Sequence, residues 1–363
     1  MTARIDKNLV SVLSVEDKAQ AVVKLRSPME FASLRRSLKV VRYYPFISSI
    51  GVECVRDDLV KLSRSHSVEF VSASMHVSAL GDTPPNPFDE AYLPENGSVH
   101  TLKAEGLTGA GVGLAVIDTG VGTHLDLCVP KNRIYGFHDV INGEENPYDD
   151  NGHGTFVTGV AVGNGLCSGK TCKGIAPESG VVAIKAISAN GDSSTFRILD
   201  GMQWLYDNFH RLGIKVVCMS FGAEPTDTAD PLKIGAEMLV RRGLTVVCAV
   251  GNNGENNLKS PAVSGEVISV GAVDDDGIPA KFSSYGTYHG ISRPDVYAKG
   301  VRLKGLDVGG TYSYMSGTSV SAPAVAGLCC LLHQKYKNLS PRQAKGLVVS
   351  LAREKDGIKV LDL

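Results

Sequence analysis

The 363-residue chain is poor in aromatic residues, at 6% with a single Trp, and has no excess of charge: 37 Lys and Arg stand against 38 Asp and Glu. Without a basic excess there is no field to draw nucleic acid or an anionic membrane, so neither is expected as a partner. No apolar run approaches the roughly 20 residues of a membrane span. The opening MTARIDKNLVSVLSVEDKAQ is charged throughout and lacks the apolar core of a signal peptide, so a cytoplasmic location is expected. Disulfide-framework spacing is missing too: the eight Cys are scattered, and Cys218, Cys248, Cys329 and Cys330 fall inside apolar runs, where they read as reduced core thiols. Cys167 and Cys172 bracket the stretch CSGKTC and read as loop thiols, with a metal or a bridge as the alternatives. No internal repeat or low-complexity tract is present. Glycine is abundant, at 40 residues, which favours tight turns and close backbone approach over a helical bundle. Hydrophobic residues at 43% and charged residues at 21% are those of a soluble globular chain, not a disordered, collagen-like or coiled-coil one. At roughly 150 residues per domain, two domains are expected.

Residues 18 to 80 carry a small unit of their own. KAQAVVKLRS alternates like a strand, SPMEFASLRRSL opens on Ser-Pro with helical spacing, VVRYYPFISSIGVECV reads as one or two strands, RDDLVKLSRSH as a helix and SVEFVSASM as a last strand. That β-α-β-β-α-β order predicts a small α+β unit, an antiparallel sheet backed by two helices in the split-βαβ (ferredoxin-like) arrangement. Such a fold carries no function by itself. GDTPPNPFDEAYLPENGS is rich in Pro, Gly, Asn and Asp and marks a linker, so the boundaries drawn are 1–80, 81–99 and 100–363. Beyond it, GVGLAVID, VVAIKAI, KVVCMSF, LTVVCAV and VISVGAV alternate with helical segments such as RILDGMQWLYDNFHRL and PLKIGAEMLVRRG. Continuous apolar strands between helices predict an α/β fold, a mostly parallel sheet with helices on both faces. Its functional groups should gather at the carboxyl ends of the strands.

Four polar signals stand at strand ends or helix starts. Asp118 ends the strand GLAVID, where a turn or cap is the ordinary reading. His153 lies in Asn151-Gly152-His153-Gly154-Thr155, with backbone close to its ring on both sides, although a lone histidine is ordinarily structural. Asn252 follows TVVCAV in Gly251-Asn252-Asn253-Gly254, by itself a turn sequence. Ser319, in MSGTSVSAP ahead of AVAGLCCLLHQKY, suits an N-cap. Its small neighbours nevertheless leave its oxygen uncovered, at a helix start that favours negative charge. Each has an ordinary explanation; the set does not. Acyl transfer by serine needs a base, a carboxylate to hold the imidazole tautomer and donors for the oxyanion, and these four residues supply them.

On these motifs, the segment from about 100 to 350 resembles the subtilisin-family (subtilase) serine proteases. AVIDTGV is similar to the family's Asp motif, NGHGTFVTG to its His motif, MSGTSVSAP to its Ser motif and AVGNNG to the segment with the oxyanion-hole Asn. The order Asp, His, Ser is that of subtilisin. The resemblance implies a serine endopeptidase acting on proteins or peptides through an acyl-enzyme on Ser319, with no cofactor for the chemistry. His153 would be general base and then acid, Asp118 its orienting carboxylate, and Asn252 the oxyanion donor beside the Ser319 backbone N–H. Ser220-Phe221-Gly222 resembles the strand that pairs with extended substrate. Ala249-Val250-Gly251 resembles the opposite wall of the pocket for the residue before the scissile bond.

The N-terminal unit resembles the family's propeptide, an intramolecular inhibitor, which would make the chain a zymogen. SVEFVSASMHVSAL is similar to the inhibitory tail, with cleavage between Leu80 and Gly81 and with Val77 and Leu80 in separate pockets. The family commonly carries structural calcium, and Asp126 in THLDL matches a frequent ligand position. Glu144, Glu145, Asp149 and Asp150, and Asp274 to Asp276, are oxygen-rich as calcium requires but lack EF-hand spacing. Departures from the family pattern are Phe156 and Ala324 in place of His, Lys299 in place of Pro, and a short loop after Asn252. They suggest a narrow substrate range. Two other readings stand beside this one: a dedicated processing peptidase for one partner polypeptide, and a pseudoprotease whose cleft survives as a binding module.

Overall fold

The strands of the large sheet are short runs of Val, Ile, Ala, Leu and Cys whose side chains alternate between two cores. In Gly113–Asp118, Leu114 and Val116 enter one core while Ala115 and Ile117 enter the other. Ile214–Met219 divides the same way, with Val216 and Cys218 opposite Val217 and Met219. So does Thr245–Ala249, with Val247 and Ala249 opposite Val246 and Cys248. A strand buried on both faces is apolar at every position, which is why no polar alternation marks these segments. The computed structural model describes residues 3–81, 102–103, 105–226 and 229–363; the linker expected over 81–99 lies, apart from Gly81, outside them.

The large sheet runs Arg353–Lys355, Ile358–Leu361, Val296–Lys299, Ile268–Val273, Thr245–Ala249, Ile214–Met219, Gly113–Asp118, Gly180–Lys185, Ile134–Asp139. All neighbours are parallel except the edge hairpin of Arg353–Lys355 with Ile358–Leu361. Helices His153–Val162, Thr318–Lys335 and Pro341–Leu351 cover one face, and Thr195–Asn208 and Pro231–Arg241 the other. The expected α/β architecture is therefore present. Thr318 to His333 are all buried, as befits a helix wedged between a sheet and two further helices. Among the described residues no helix is long and apolar enough to cross a membrane.

The N-terminal unit has a separate core under a five-stranded sheet: Arg4–Ile5, Val68–Ala73, Ala19–Leu25, Ser49–Cys54, Lys39–Tyr44. Pairing is antiparallel except between Arg4–Ile5 and Val68–Ala73. Two features depart from the reading of the sequence. Among the described residues regular structure begins at Arg4, not near residue 18, because a helix over Lys7–Val15 buries Leu9 and Leu13 against the sheet. Val10, Val12 and Val15 in that helix are exposed, so its apolar residues are not confined to one face and the period is blurred. SPMEFASLRRSL yields only a 3-10 turn over Pro28–Glu30 and a short helix over Phe31–Leu34, with Leu34 as its buried residue. One buried side chain gives too little packing to extend a helix.

The same unit rests on helices of the large domain. Tyr44 donates its hydroxyl to Phe196 O at 3.1 Å, Phe46 N–H donates to Gln203 Oε1 at 3.2 Å, and Arg42 pairs with Asp200 at 3.0 Å. Its first helix hangs on Asp6, which accepts the Asn8 N–H at 3.0 Å and, with its other oxygen, the Ala73 N–H at 3.2 Å. Asp6→Ala should therefore cost about 1–2 kcal/mol locally. Amide hydrogen exchange over residues 7–15 should accelerate about tenfold or more. Unchanged exchange there would show that the cap does not hold this helix.

Candidate active site

Asp118 closes the strand Gly113–Asp118 and is fully buried. Its Oδ1 accepts the Thr119 N–H at 2.7 Å and lies 2.7 Å from His153 Nδ1. A carboxylate can only accept, so the proton between them belongs to Nδ1, and Nε2 is the nitrogen turned toward Gly81. His153 is the first residue of the helix His153–Val162. That helix comes this close to the strand end because Gly154 has no side chain: a Cβ there would stand 2.2 Å from Gly120 O and 3.2 Å from Asp118 Cβ.

Asp149 fastens the helix start. One oxygen accepts from the Thr119 hydroxyl and the N–H groups of Asn151 and Gly152; the other accepts from the N–H and hydroxyl of Thr155. All five distances fall within 2.6–3.1 Å. Burial alone would raise its pKa, but these donors outweigh burial and hold the carboxyl below the usual range. Lys185, fully buried, donates to Thr119 O and Asp150 Oδ1 at 2.6 Å each and to Ile187 O at 3.1 Å. Sequence reasoning missed both roles, treating Asp149 and Asp150 only as an oxygen-rich stretch. The available signal was a carboxylate just ahead of a helix start.

Ser319 is the second residue of the helix Thr318–Lys335. Its hydroxyl is buried and has no hydrogen-bond partner among the described residues. Pro323 sits four residues on and has no N–H to give to Ser319 O. The Ser220 hydroxyl donates there instead, at 3.0 Å. Asn252 Oδ1 accepts the N–H and hydroxyl of Thr318 at 2.9 and 2.8 Å, which fixes the amide so that its NH2 faces outward. The Thr318 hydroxyl also accepts the Gly251 N–H at 3.2 Å. Thr318 is thus a third residue whose role the sequence reading passed over.

Into this site runs the end of the N-terminal unit. His76–Ala79 is the middle strand of a three-stranded sheet, antiparallel to Asp192–Ser194 on one side and Phe221–Gly222 on the other. Ala79 N–H donates to Gly191 O at 3.0 Å and Leu80 N–H to Ser220 O at 3.1 Å. Leu80 O accepts from Asn252 Nδ2 at 2.8 Å. A Cβ on Gly317 would stand 2.7 Å from Leu80 O and 3.0 Å from both Asn252 Nδ2 and Ser319 Oγ, so glycine leaves room for their convergence. A Cβ on Gly81 would stand 3.0 Å from His153 Nε2 and 3.6 Å from Ser319 Oγ. Val77 and Leu80 are both buried but belong to different cores. Leu80 shares the core of Ala249, while Val77 shares that of Phe221 and Val250.

Asp126 stands elsewhere. One of its oxygens accepts the Cys167 N–H at 2.7 Å and the other the Tyr312 hydroxyl at 2.8 Å. Burial and the neighbouring carboxylate push the Tyr312 pKa up, so the phenol remains the donor. These partners do not fit the expected calcium ligand: both oxygens are met by N–H and O–H groups. Among the described residues no cluster of three or more His, Cys, Asp or Glu side chains could hold a metal ion. Asp149 and Asp150 are engaged as described above. All eight cysteines, Cys167 and Cys172 included, are free thiols, and burial pushes Cys218 and Cys330 up to about 12.

Comparison with known proteins gives the family. The chain is 34% identical over 319 residues to the serine protease AprX of Bacillus subtilis, covering 79% of this chain and 70% of that one. It is 30% identical over 346 residues to the alkaline protease of Alkalihalobacillus alcalophilus, covering 94% and 84%. Among solved structures, a cold-adapted subtilisin-like serine proteinase superposes with a TM-score of 0.62 at 27% identity, over 77% of this chain and 94% of that one. Fervidolysin from Fervidobacterium pennivorans shares the fold with a TM-score of 0.75 at 21% identity, over 99% and 62%. Residues 109–362 match the subtilase family as a whole, and the chain belongs to that family of serine proteases.

Proposed function

We propose that this chain is a serine endopeptidase zymogen: Asp118, His153, Asn252 and Ser319 form the catalytic set, and residues 1–80 are an inhibitory propeptide cut between Leu80 and Gly81. The carrying observation is the Leu80 carbonyl, 2.8 Å from Asn252 Nδ2 and beside the buried Ser319 hydroxyl. In this reading Ser319 Oγ attacks the carbonyl carbon as His153 Nε2 takes its proton, and Asp118 keeps Nδ1 protonated and steadies the imidazolium. The oxyanion receives the Asn252 amide and the Ser319 N–H, one of the first-turn donors that the helix itself does not use. His153 then protonates the departing Gly81 amine, and water releases the acyl group by the same steps in reverse. Ser220, Phe221 and Gly222 would bind the substrate backbone, and Ala249, Val250 and Gly251 would wall the Leu80 pocket. The linker 81–99 and catalytic domain 100–363 complete the proposed division. Cytoplasmic residence belongs to the same reading, supported by eight unbridged thiols. Structural calcium stays outside it, given how Asp126 is engaged.

Intact-mass analysis of the full chain tests the proposal directly. The parent should appear cut after Leu80, whereas Ser319→Ala should stay whole; an uncut parent, or a cut that persists in Ser319→Ala, would refute it. Asn252→Ala should lower kcat roughly 10²- to 10³-fold with little change in KM, since its donor counts most once charge develops on the oxygen. Wild-type kinetics in that variant would show that the amide is not an oxyanion donor. Hydrolysis should rise with pH between about 5 and 8, because only neutral imidazole can accept the Ser319 proton. A flat kcat/KM profile across that window would remove His153 as the base.

A further inference from the structure

We infer that Lys259, with Glu224 as its counter-ion, sets which side chain can precede the scissile bond; the inference rests on the proposed function and names the substrate class of that same site. Residues 258–260 cross from one wall of the Leu80 pocket to the other. Lys259 N–H donates to Val250 O at 3.0 Å, and Ser260 exchanges two backbone hydrogen bonds with Ala223, at 2.9 and 3.1 Å. Between these anchors the Lys259 side chain occupies space that both walls leave open. A Cβ on Gly222 would stand 2.6 Å from Lys259 Cβ and 3.0 Å from its Cγ, and one on Gly251 would stand 2.8 Å from the same Cγ. That Gly222 position is also 3.2 Å from Leu80 Cδ1, so the lysine stem and the leucine tip border the same space left by Gly222. The Lys259 side chain is 11% exposed, while that of Glu224, with which its ammonium pairs, is 60% exposed. The methylenes therefore lie inside and the charge is drawn to the rim, as lysines lining apolar surface generally arrange themselves.

The stem takes up depth that an aromatic ring would need, so the pocket fits a leucine-sized apolar side chain and refuses phenylalanine. The ammonium opposes a lysine or arginine entering the same space. It becomes a partner for glutamate once Glu224 loses its charge. The substrate class is a polypeptide with a leucine-sized apolar residue before the bond cut.

The test is the rate of Ser319-dependent cleavage after residue 80 in the full chain, read by intact mass. Leu80→Phe and Leu80→Lys should each slow it about tenfold or more. Adding Lys259→Ala should bring Leu80→Phe to within about threefold of the leucine rate. Lys259→Met keeps the stem without the charge, so it should relieve Leu80→Lys but not Leu80→Phe; it also serves if Lys259→Ala folds poorly. Glu224→Gln should raise cleavage of Leu80→Glu about tenfold relative to leucine. Ratios that stay within about twofold of the parent in the Lys259 and Glu224 variants overturn this assignment alone. A parent chain without any Ser319-dependent cut overturns the proposed function and this pocket with it.

Discussion

A buried carboxylate calls for donors, and Asp118 draws two to its Oδ1, the imidazole of His153 and the next backbone N–H. That single 2.7 Å contact obliges the end of a central strand and the first turn of a helix to meet almost at van der Waals distance. Gly154 permits the approach. Asp149 ties the helix start to the Thr119 hydroxyl, and Lys185 ties Thr119 back to the sheet. Each of these residues stands behind Asp118 and His153 and bears on one proton's position.

The serine side follows a parallel logic with different parts. A proline inside a buried helix leaves a carbonyl without its helical donor, and Ser220 supplies the donor from the neighbouring strand end. The same Ser220 accepts the Leu80 N–H through its backbone. One residue thus joins the helix of Ser319 to the strand His76–Ala79 and its continuation at Leu80. Thr318 does comparable work across the site, since its hydroxyl links Asn252 with Gly251. Amide orientation, helix start and pocket wall are consequently set together.

The large sheet was legible because burial on both faces leaves apolar runs of strand length, and the candidate site stood out because strand ends and helix starts carry polar residues near glycine. What stayed hidden were residues whose role is defined by partners distant in the chain. Asp149 looks like any acidic loop residue until Thr119 and Thr155 are brought beside it. Lys259 looks like a surface lysine until Gly222 and Gly251 close around its stem. The helix Lys7–Val15 was hidden for a simpler reason: its exposed valines spread apolar residues around the axis, so no stripe identifies the buried face.

The strand His76–Ala79 lies between two short segments that pair with nothing else in their sheet: three residues at Asp192–Ser194 and two at Phe221–Gly222. Without the tail these are two facing edges, roughly 9–10 Å apart at ordinary strand spacing. Edges so short make poor templates for aggregation. Facing each other, however, they form a slot whose hydrogen bonds are completed only by a fully extended chain entering between them. A helix or a tight turn is turned away by backbone geometry before any of its side chains is read. Under the proposed function, the first filter on what is cut would therefore be the conformation of the target: loops, tails and unfolded chains would be admitted, and the interiors of folded proteins spared.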